Sequence, residues 1–211
     1  MTAEAVIVEM TPTSLPDWVF PPPQGFVAED LDHIPDLPAH TELIDGSLVF
    51  VSPQRHFHQA VIHRLHNLLE TLTPTSHEVL SQMTVKLGPR QRPETDLLVV
   101  GPQARIAPEV ICLDAADVVL AVEVVSAASE LRDRYRKPVL YAEAGIPHFW
   151  RIEEINAKPA VFAFELDPAT KAYAPAGVFH DWLKLTVPFD IDIDIDLTKL
   201  YRADTLQFPA P

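Results

Sequence analysis

The chain has 211 residues, of which 47% are hydrophobic and 22% are charged, and these proportions are typical of one soluble globular domain. Its formal net charge of −14 argues against non-specific binding of nucleic acid over the whole surface, but it leaves room for a local basic strip. No apolar run is long enough to cross a bilayer, and the N-terminus lacks the charge and apolar stretch of a secretory signal. We therefore expect a cytoplasmic protein with no membrane partner.

Proline is concentrated at the start of the chain. Residues 1–24 contain Pro12, Pro16 and the run 21–23 and show little periodicity, so we expect an extended N-terminal arm there. One domain is expected over residues 25–205, followed by a tail over residues 206–211. Inside the domain, residues 27–33 predict a short helix. The dipeptide Asp45-Gly46 between apolar residues predicts a β-hairpin.

The hydrophobic period then changes from two to about 3.6. Val61, Leu65, Leu68 and Leu72 are spaced by four, three and four residues, which predicts an amphipathic helix over about residues 55–72. His58 lies on the same stripe, so we expect it to be buried or to support a site, and a zinc cluster of the nearby histidines is disfavoured because they do not share one face. Alternation predicts a strand over residues 79–87.

Two apolar runs, residues 96–100 and 117–125, predict strands that are buried on both faces. A second helix is predicted around residues 139–144, and it is followed by a strand over residues 148–152 and a hairpin around residues 167–168. The Asp/Ile alternation of residues 190–196 predicts an edge strand with solvated aspartates rather than a calcium site. The fold class is therefore α/β in the broad sense, a mixed α+β domain with helices against a sheet.

Two acids stand inside the central apolar runs, Asp96 at the start of one and Glu123 within the other. A carboxylate in such a place is costly to ionise unless it is paired or binds a cation. If the strands are neighbours, the two acids provide ligands for a hard divalent metal. The alternative is that each acid only ends a strand near solvent.

A basic run follows the second acid and ends at Lys137. Lys137 and Tyr141 are four residues apart, so a continuous helix would place them on one face. Pro138 disfavours an α conformation at Lys137, and a helix that begins at Pro138 would leave Lys137 as its cap. The alternative for the whole run is a solvated surface segment.

Several segments occur together in one order. They are Glu42 to Gly46, Arg55-x-x-His58-Gln59, Asp96 to Val100, Val122 to Ser126, and Arg132 to Trp150. In these segments the chain resembles the Uma-type family of putative restriction endonucleases, within the PD-(D/E)XK nuclease superfamily. The resemblance covers about residues 24–200, and it is most specific between Glu123 and Trp150.

The resemblance implies a restriction-endonuclease-like core, a central mixed β-sheet flanked by helices. It also implies an endonuclease that uses Mg²⁺ or Mn²⁺ to hydrolyse phosphodiester bonds, with DNA as the expected substrate and a homodimer as the expected assembly. The alternative is a catalytically inactive nuclease-fold module that binds a protein or nucleic-acid partner.

Site residues follow from the same resemblance. Asp96 and Glu123 are the expected metal ligands, and Lys137 replaces the lysine that the Glu-x-Lys pattern would require at Val125. Glu42 is a further expected catalytic acid, with Tyr141 and His58 in supporting roles. The expected nucleic-acid contacts form a strip consisting of Lys86, Arg90, Arg92, Arg132, Arg134 and Arg136.

Overall fold

A computed structural model describes residues 16–195 of the protein, which form eleven strands and two α-helices. The strands are β1 (Thr41–Ile44), β2 (Ser47–Phe50), β3 (Glu78–Lys86), β4 (Glu94–Val100), β5 (Cys112–Asp114), β6 (Val118–Val124), β7 (His148–Ile155), β8 (Lys158–Asp167), β9 (Ala172–Phe179), β10 (Trp182–Leu185) and β11 (Ile191–Asp194). The helices are α1 (His56–Leu72) and α2 (Lys137–Glu143). Within residues 16–195, no helix is long and apolar enough to cross a membrane.

Seven strands form one central sheet in the order β5-β3-β4-β6-β7-β8-β9. The pairs β3–β5 and β6–β7 are parallel and the other neighbours are antiparallel, so the predicted mixed sheet is confirmed. The parallel pair β6–β7 requires a crossover, and α2 lies within it. β1 and β2 form a separate hairpin, as do β10 and β11.

Helices cover both faces of the central sheet. Along β4 and β6, alternate side chains enter two different hydrophobic clusters, and α1 contributes to one and α2 to the other. Leu97 and Val122 lie in the α1 cluster, whereas Leu98, Ala121 and Tyr141 lie in the α2 cluster. Burial on both faces explains why these strands are apolar at successive positions rather than at every second one.

Lys137 is part of α2, so the expectation that Pro138 would leave it as a cap is wrong. The backbone of Lys137 has helical angles (φ −58°, ψ −43°), and its N–H donates to the carbonyl of Arg132, five residues back. Residues 132–136 therefore form a π-helical turn. This wider turn continues the helix ahead of Pro138, which lies in the first turn of α2 where no N–H is needed.

Some elements extend beyond the prediction. The strand β5 was not predicted, and β9 extends the hairpin predicted around residues 167–168 as far as Phe179. The predicted edge strand is confirmed as β11, in which Ile191 and Ile193 are buried and Asp192 is exposed. Residue 196, residues 1–15 of the predicted arm and the predicted tail lie outside the described residues.

Arg92 fixes the position of β1 through contacts with Leu43 on that strand and with the segment that precedes it. Its backbone exchanges two hydrogen bonds with Leu43, of 2.8 and 3.0 Å. Arg92 is only 5% exposed, and its guanidinium donates to the carbonyl of Ala28 at 3.0 Å and to Asp32 at 2.7 Å. These contacts join the segment before β1 to the chain that enters β4, and so they set the place of Glu42.

Replacing Arg92 with methionine should therefore destabilise the fold. The change leaves the Ala28 carbonyl without its donor and Asp32 without its cation, and we expect the free energy of unfolding to fall by about 2–3 kcal/mol. Urea denaturation measures this loss. The exposed Arg105→Met is the matched control and should change stability little; equal effects of the two substitutions would contradict the structural role of Arg92.

Candidate active site

The predicted acids and the lysine meet in one cleft. The cleft has a volume of about 320 Å³ and is lined by residues of β1, β3, β4, β6, α1, the π-helical turn and α2. Glu42, Asp96, Glu123 and Lys137 all line it, so residues that are up to 95 positions apart in the chain are brought to one place. Asp133 lines the same cleft.

Lys137 lies at the centre of this group and is only 4% exposed. Its Nζ lies 2.7 Å from Oε1 of Glu42 and 3.0 Å from Oε2 of Glu123, and it donates to the backbone carbonyl of Glu94 at 3.0 Å. A protonated lysine has three N–H groups. All three are therefore used within the protein, and they connect β1, β4 and β6 to α2.

The charges in this group determine where the protons reside. Burial raises the pKa of Glu123 well above its ordinary value; Lys137 opposes that shift, and the carboxyls of Asp133 and Asp96 reinforce it. Burial alone would lower the pKa of Lys137, but the carboxylates of Glu123 and Glu42 outweigh it, so the pKa of the ammonium lies well above its ordinary value. The lysine therefore stays protonated and positively charged.

Tyr141 supports Glu123 from the same helix face as Lys137. Its hydroxyl donates to Oε1 of Glu123 and lies 3.0 Å from Oγ1 of Thr95. Burial, together with the charge of Glu123, raises the pKa of Tyr141 well above its ordinary value, so the phenol keeps its proton and acts as a donor. The predicted shared face of Lys137 and Tyr141 is confirmed.

Asp96 lies beside Glu123 because β4 and β6 are neighbours. The last paired residues before the acids are Leu97 and Val122, and continuing this register brings Asp96 opposite Glu123. Oδ2 of Asp96 accepts from the backbone N–H of Val124 at 2.7 Å and lies 3.2 Å from Nε2 of His58. His58 is buried on α1, where it contacts one acid of the site.

Most of the six basic residues of the predicted strip pair with acids of the protein. Arg134 donates two hydrogen bonds to Glu153, of 2.6 and 3.1 Å, and Arg136 binds Asp45 in the same bidentate way. Arg92 is withdrawn from the strip, because its buried guanidinium cannot reach a phosphate without rearrangement.

Lys86 pairs with Glu29, and Arg90 donates to the backbone carbonyl of Asp45 at 2.7 Å. Arg132 is the member of the strip that lines the cleft. Its side chain is 29% exposed, and its Nε lies 3.9 Å from Glu42, too far for a hydrogen bond. Within residues 16–195 this buried Nε has no hydrogen-bond acceptor.

Comparison with known proteins is consistent with this geometry. Residues 28–198 match the Uma2 family, whose description is "putative restriction endonuclease". The chain belongs to the Uma2 family. A solved structure of a putative nuclease of the DUF820 group, from Anabaena variabilis, has a TM-score of 0.65 and 13% identity to it, covering 81% of this chain and 95% of that one. At that identity the likeness shows a shared fold, and no curated protein matches the chain.

The acids of this Uma2 chain fit a divalent cation in part. Glu42, Glu94, Asp96, Glu123 and Asp133 bring five carboxyl groups to the cleft, where Lys137 and Arg132 are the only cationic side chains other than histidines among the described lining residues. No three of the acids, histidines and cysteines in residues 16–195 form a ready metal cluster. Asp96 and Glu123 would thus supply part of a shell, and Mg²⁺ commonly keeps several waters.

Asp133 is a site residue that the sequence analysis missed. It was counted within a basic run, although its spacing of four residues from Lys137 is the signal that could have found it. Its Oδ1 is buried 3.7 Å from Nζ of Lys137 and makes no hydrogen bond within the described residues. Burial raises the pKa of Asp133 to about 6, against the opposing effect of Lys137.

The raised pKa of Asp133 predicts a loss of folding stability as the pH rises. A carboxyl whose pKa is higher in the folded state stabilises the fold at low pH, and that contribution is lost as the pH rises through about 6. One pKa unit corresponds to about 1.4 kcal/mol. The free energy of unfolding of Asp133→Asn, relative to that of the wild type, should therefore increase by up to about 3 kcal/mol between about pH 4 and pH 7.

Chemical denaturation at a series of pH values measures this difference. The matched control is Asp114→Asn, which replaces an exposed aspartate on β5 and should show a difference that does not vary with pH. A constant stability difference for Asp133→Asn across the range would contradict the raised pKa.

Proposed function

We propose that the protein is a metal-dependent endonuclease that hydrolyses phosphodiester bonds in DNA. The observation that carries the proposal is the placement of Lys137, which binds Glu42 and Glu123 in the cleft that Asp96 also lines. Membership of a restriction endonuclease family supports the same reaction class.

Asp96 and Glu123 are the proposed ligands of Mg²⁺ or Mn²⁺. Such an ion, when bound, polarises a phosphate oxygen and lowers the pKa of a bound water. The chain prepares the two acids for this role in different ways. Oδ2 of Asp96 is held by the backbone N–H of Val124, whereas both oxygens of Glu123 are held by side chains of α2.

In this proposal Lys137 acts mainly by positioning the acids. Its three N–H groups already have acceptors, so a phosphate or water can receive one only by displacing Glu42, Glu123 or a backbone carbonyl. Arg132 is better placed to meet the charge of a phosphate, because its partly exposed side chain lines the cleft and its Nε is 3.9 Å from Glu42, too far for a hydrogen bond. Lys86, Arg134 and Arg136 can each exchange an acid partner for a phosphate, since ion pairs near the surface contribute little.

The assembly and location are further proposals. Cutting both strands of a duplex requires two active sites or two encounters, which favours a homodimer. A cytoplasmic location stays a prediction from the sequence.

Glu123→Gln should abolish cleavage while keeping the fold. The amide keeps the shape of the carboxyl group, but it is a poor ligand for Mg²⁺; we expect the rate of plasmid cleavage with Mg²⁺ to fall at least about a hundredfold. Nicking and linearisation of supercoiled plasmid measure the rate. Glu143→Gln, on the exposed side of α2, is the control and should cut like the wild type.

Two outcomes would count against the proposal. Equal cleavage by wild type and Glu123→Gln would mean that another site is responsible. A wild type that cuts neither duplex nor single-stranded DNA, with Mg²⁺ or Mn²⁺, would favour the inactive binding module instead.

Divalent metal should also stabilise the wild type and not the variant. A ligand that binds only the folded state raises the melting temperature, and the acid-rich cleft gives Mg²⁺ a reason to bind there. Without metal, Glu123→Gln should melt below the wild-type temperature, because the buried ammonium of Lys137 then lacks one of its two close carboxylate partners. Thermal melts with and without millimolar Mg²⁺ measure both effects. A metal-induced rise of equal size in the variant would contradict Glu123 as a ligand.

A further inference from the structure

Gln82 has an unusual backbone conformation in the middle of a strand. Its φ is +54°, in the left-handed region, although it lies within β3. Among residues 16–195, the other non-glycine residues with positive φ, such as Asn156 and Lys171, lie outside the strands. A residue with a β-carbon adopts this conformation only at an energetic cost.

Neither a turn nor an inserted residue accounts for this conformation. On one side of Gln82 the pair is Ser81 with Leu97, and on the other side it is Met83 with Thr95. The register is the same on both sides, so β3 contains no extra residue at this point. Gln82 therefore stands opposite Asp96, which is the proposed metal ligand on β4.

The side chain of Gln82 is available to a ligand. It is exposed and lines the same cleft as Asp96, Glu123 and Lys137. Within the described residues its amide makes no hydrogen bond, whereas the ammonium of Lys137 has no N–H to spare. The strained backbone is thus not offset by any contact of the side chain within the protein.

A neutral donor suits this position better than a cation would. A lysine or arginine opposite Asp96 would pair with the carboxylates around it, as Lys137 does with Glu42 and Glu123. The amide of glutamine carries no charge and makes no hydrogen bond to these acids within the described residues, so its N–H can be donated to the anionic oxygen of a ligand. The oxygen of a phosphate that approaches the two acids is such an acceptor.

We propose that Gln82 is a substrate-contacting residue, whose side-chain amide donates a hydrogen bond to a phosphate oxygen of the nucleic-acid strand in the cleft. The proposal rests on the proposed nuclease function. The left-handed backbone is the structural means by which β3 presents this amide beside Asp96.

The test compares two glycine substitutions at positions with nearly the same backbone angle. Lys171 has φ +53° and lies in the turn between β8 and β9, away from the cleft. Both Gln82→Gly and Lys171→Gly relieve a positive φ, so each should raise the melting temperature by a few degrees. Only Gln82→Gly should slow cleavage of a short DNA duplex with Mg²⁺, by about tenfold or more, mainly through a higher KM. Gln82→Asn keeps an amide and tolerates the left-handed region, so it should restore part of the rate.

Each outcome decides the proposal. A more stable Gln82→Gly that cuts more slowly, beside a more stable Lys171→Gly of wild-type rate, supports it. Gln82→Gly with the wild-type rate and KM overturns the role of Gln82 but leaves the nuclease function intact. A wild type that does not cut DNA overturns both.

Discussion

Lys137 brings one positive charge into a place that is almost closed to water, and that charge is stable there because Glu42 and Glu123 lie within 3.0 Å of it. These three side chains belong to α2, β1 and β6, and the carbonyl of Glu94 adds β4. Breaking a buried pair of this kind commonly costs about 3–5 kcal/mol, because the partner charge is left uncompensated. The hairpin, the sheet and the second helix are therefore held in register by the same contacts that shape the cleft.

Much of this arrangement could be predicted from the sequence, because it depends on local patterns. Asp96 and Glu123 are conspicuous as acids within runs that bury both faces, and the spacing of Lys137 and Tyr141 places them on one helix face. The π-helical turn could not be predicted, since Pro138 by itself indicates a helix start. The conformation of Gln82 could not be predicted either, because a glutamine within a strand normally has a negative φ.

The predicted basic strip shows where composition misleads. The chain has 30 acidic residues and 16 lysines and arginines, so most of its cationic side chains can pair with a carboxylate of the protein instead of a phosphate of a ligand. Arg134 and Arg136 are each taken up by an acid on another element, and Arg92 is used to fix the segment before β1. The number of basic residues in a segment therefore gives its positive charge, but the folded structure determines how many of these side chains are available to a ligand.

The same excess of acid bears on the order in which the cleft can bind its ligands. Glu42, Asp96, Glu123 and Asp133 repel a phosphate, and the positive charge of Lys137 is already shared between two of them. A divalent cation reverses the sign of this field, so a nucleic-acid strand gains from entering after the cation rather than before it. Arg132, whose contact with Glu42 is 3.9 Å long, and the neutral amide of Gln82 are then cleft-lining groups that can contact the strand. The same acids therefore destabilise the metal-free protein and make the binding of phosphate depend on metal.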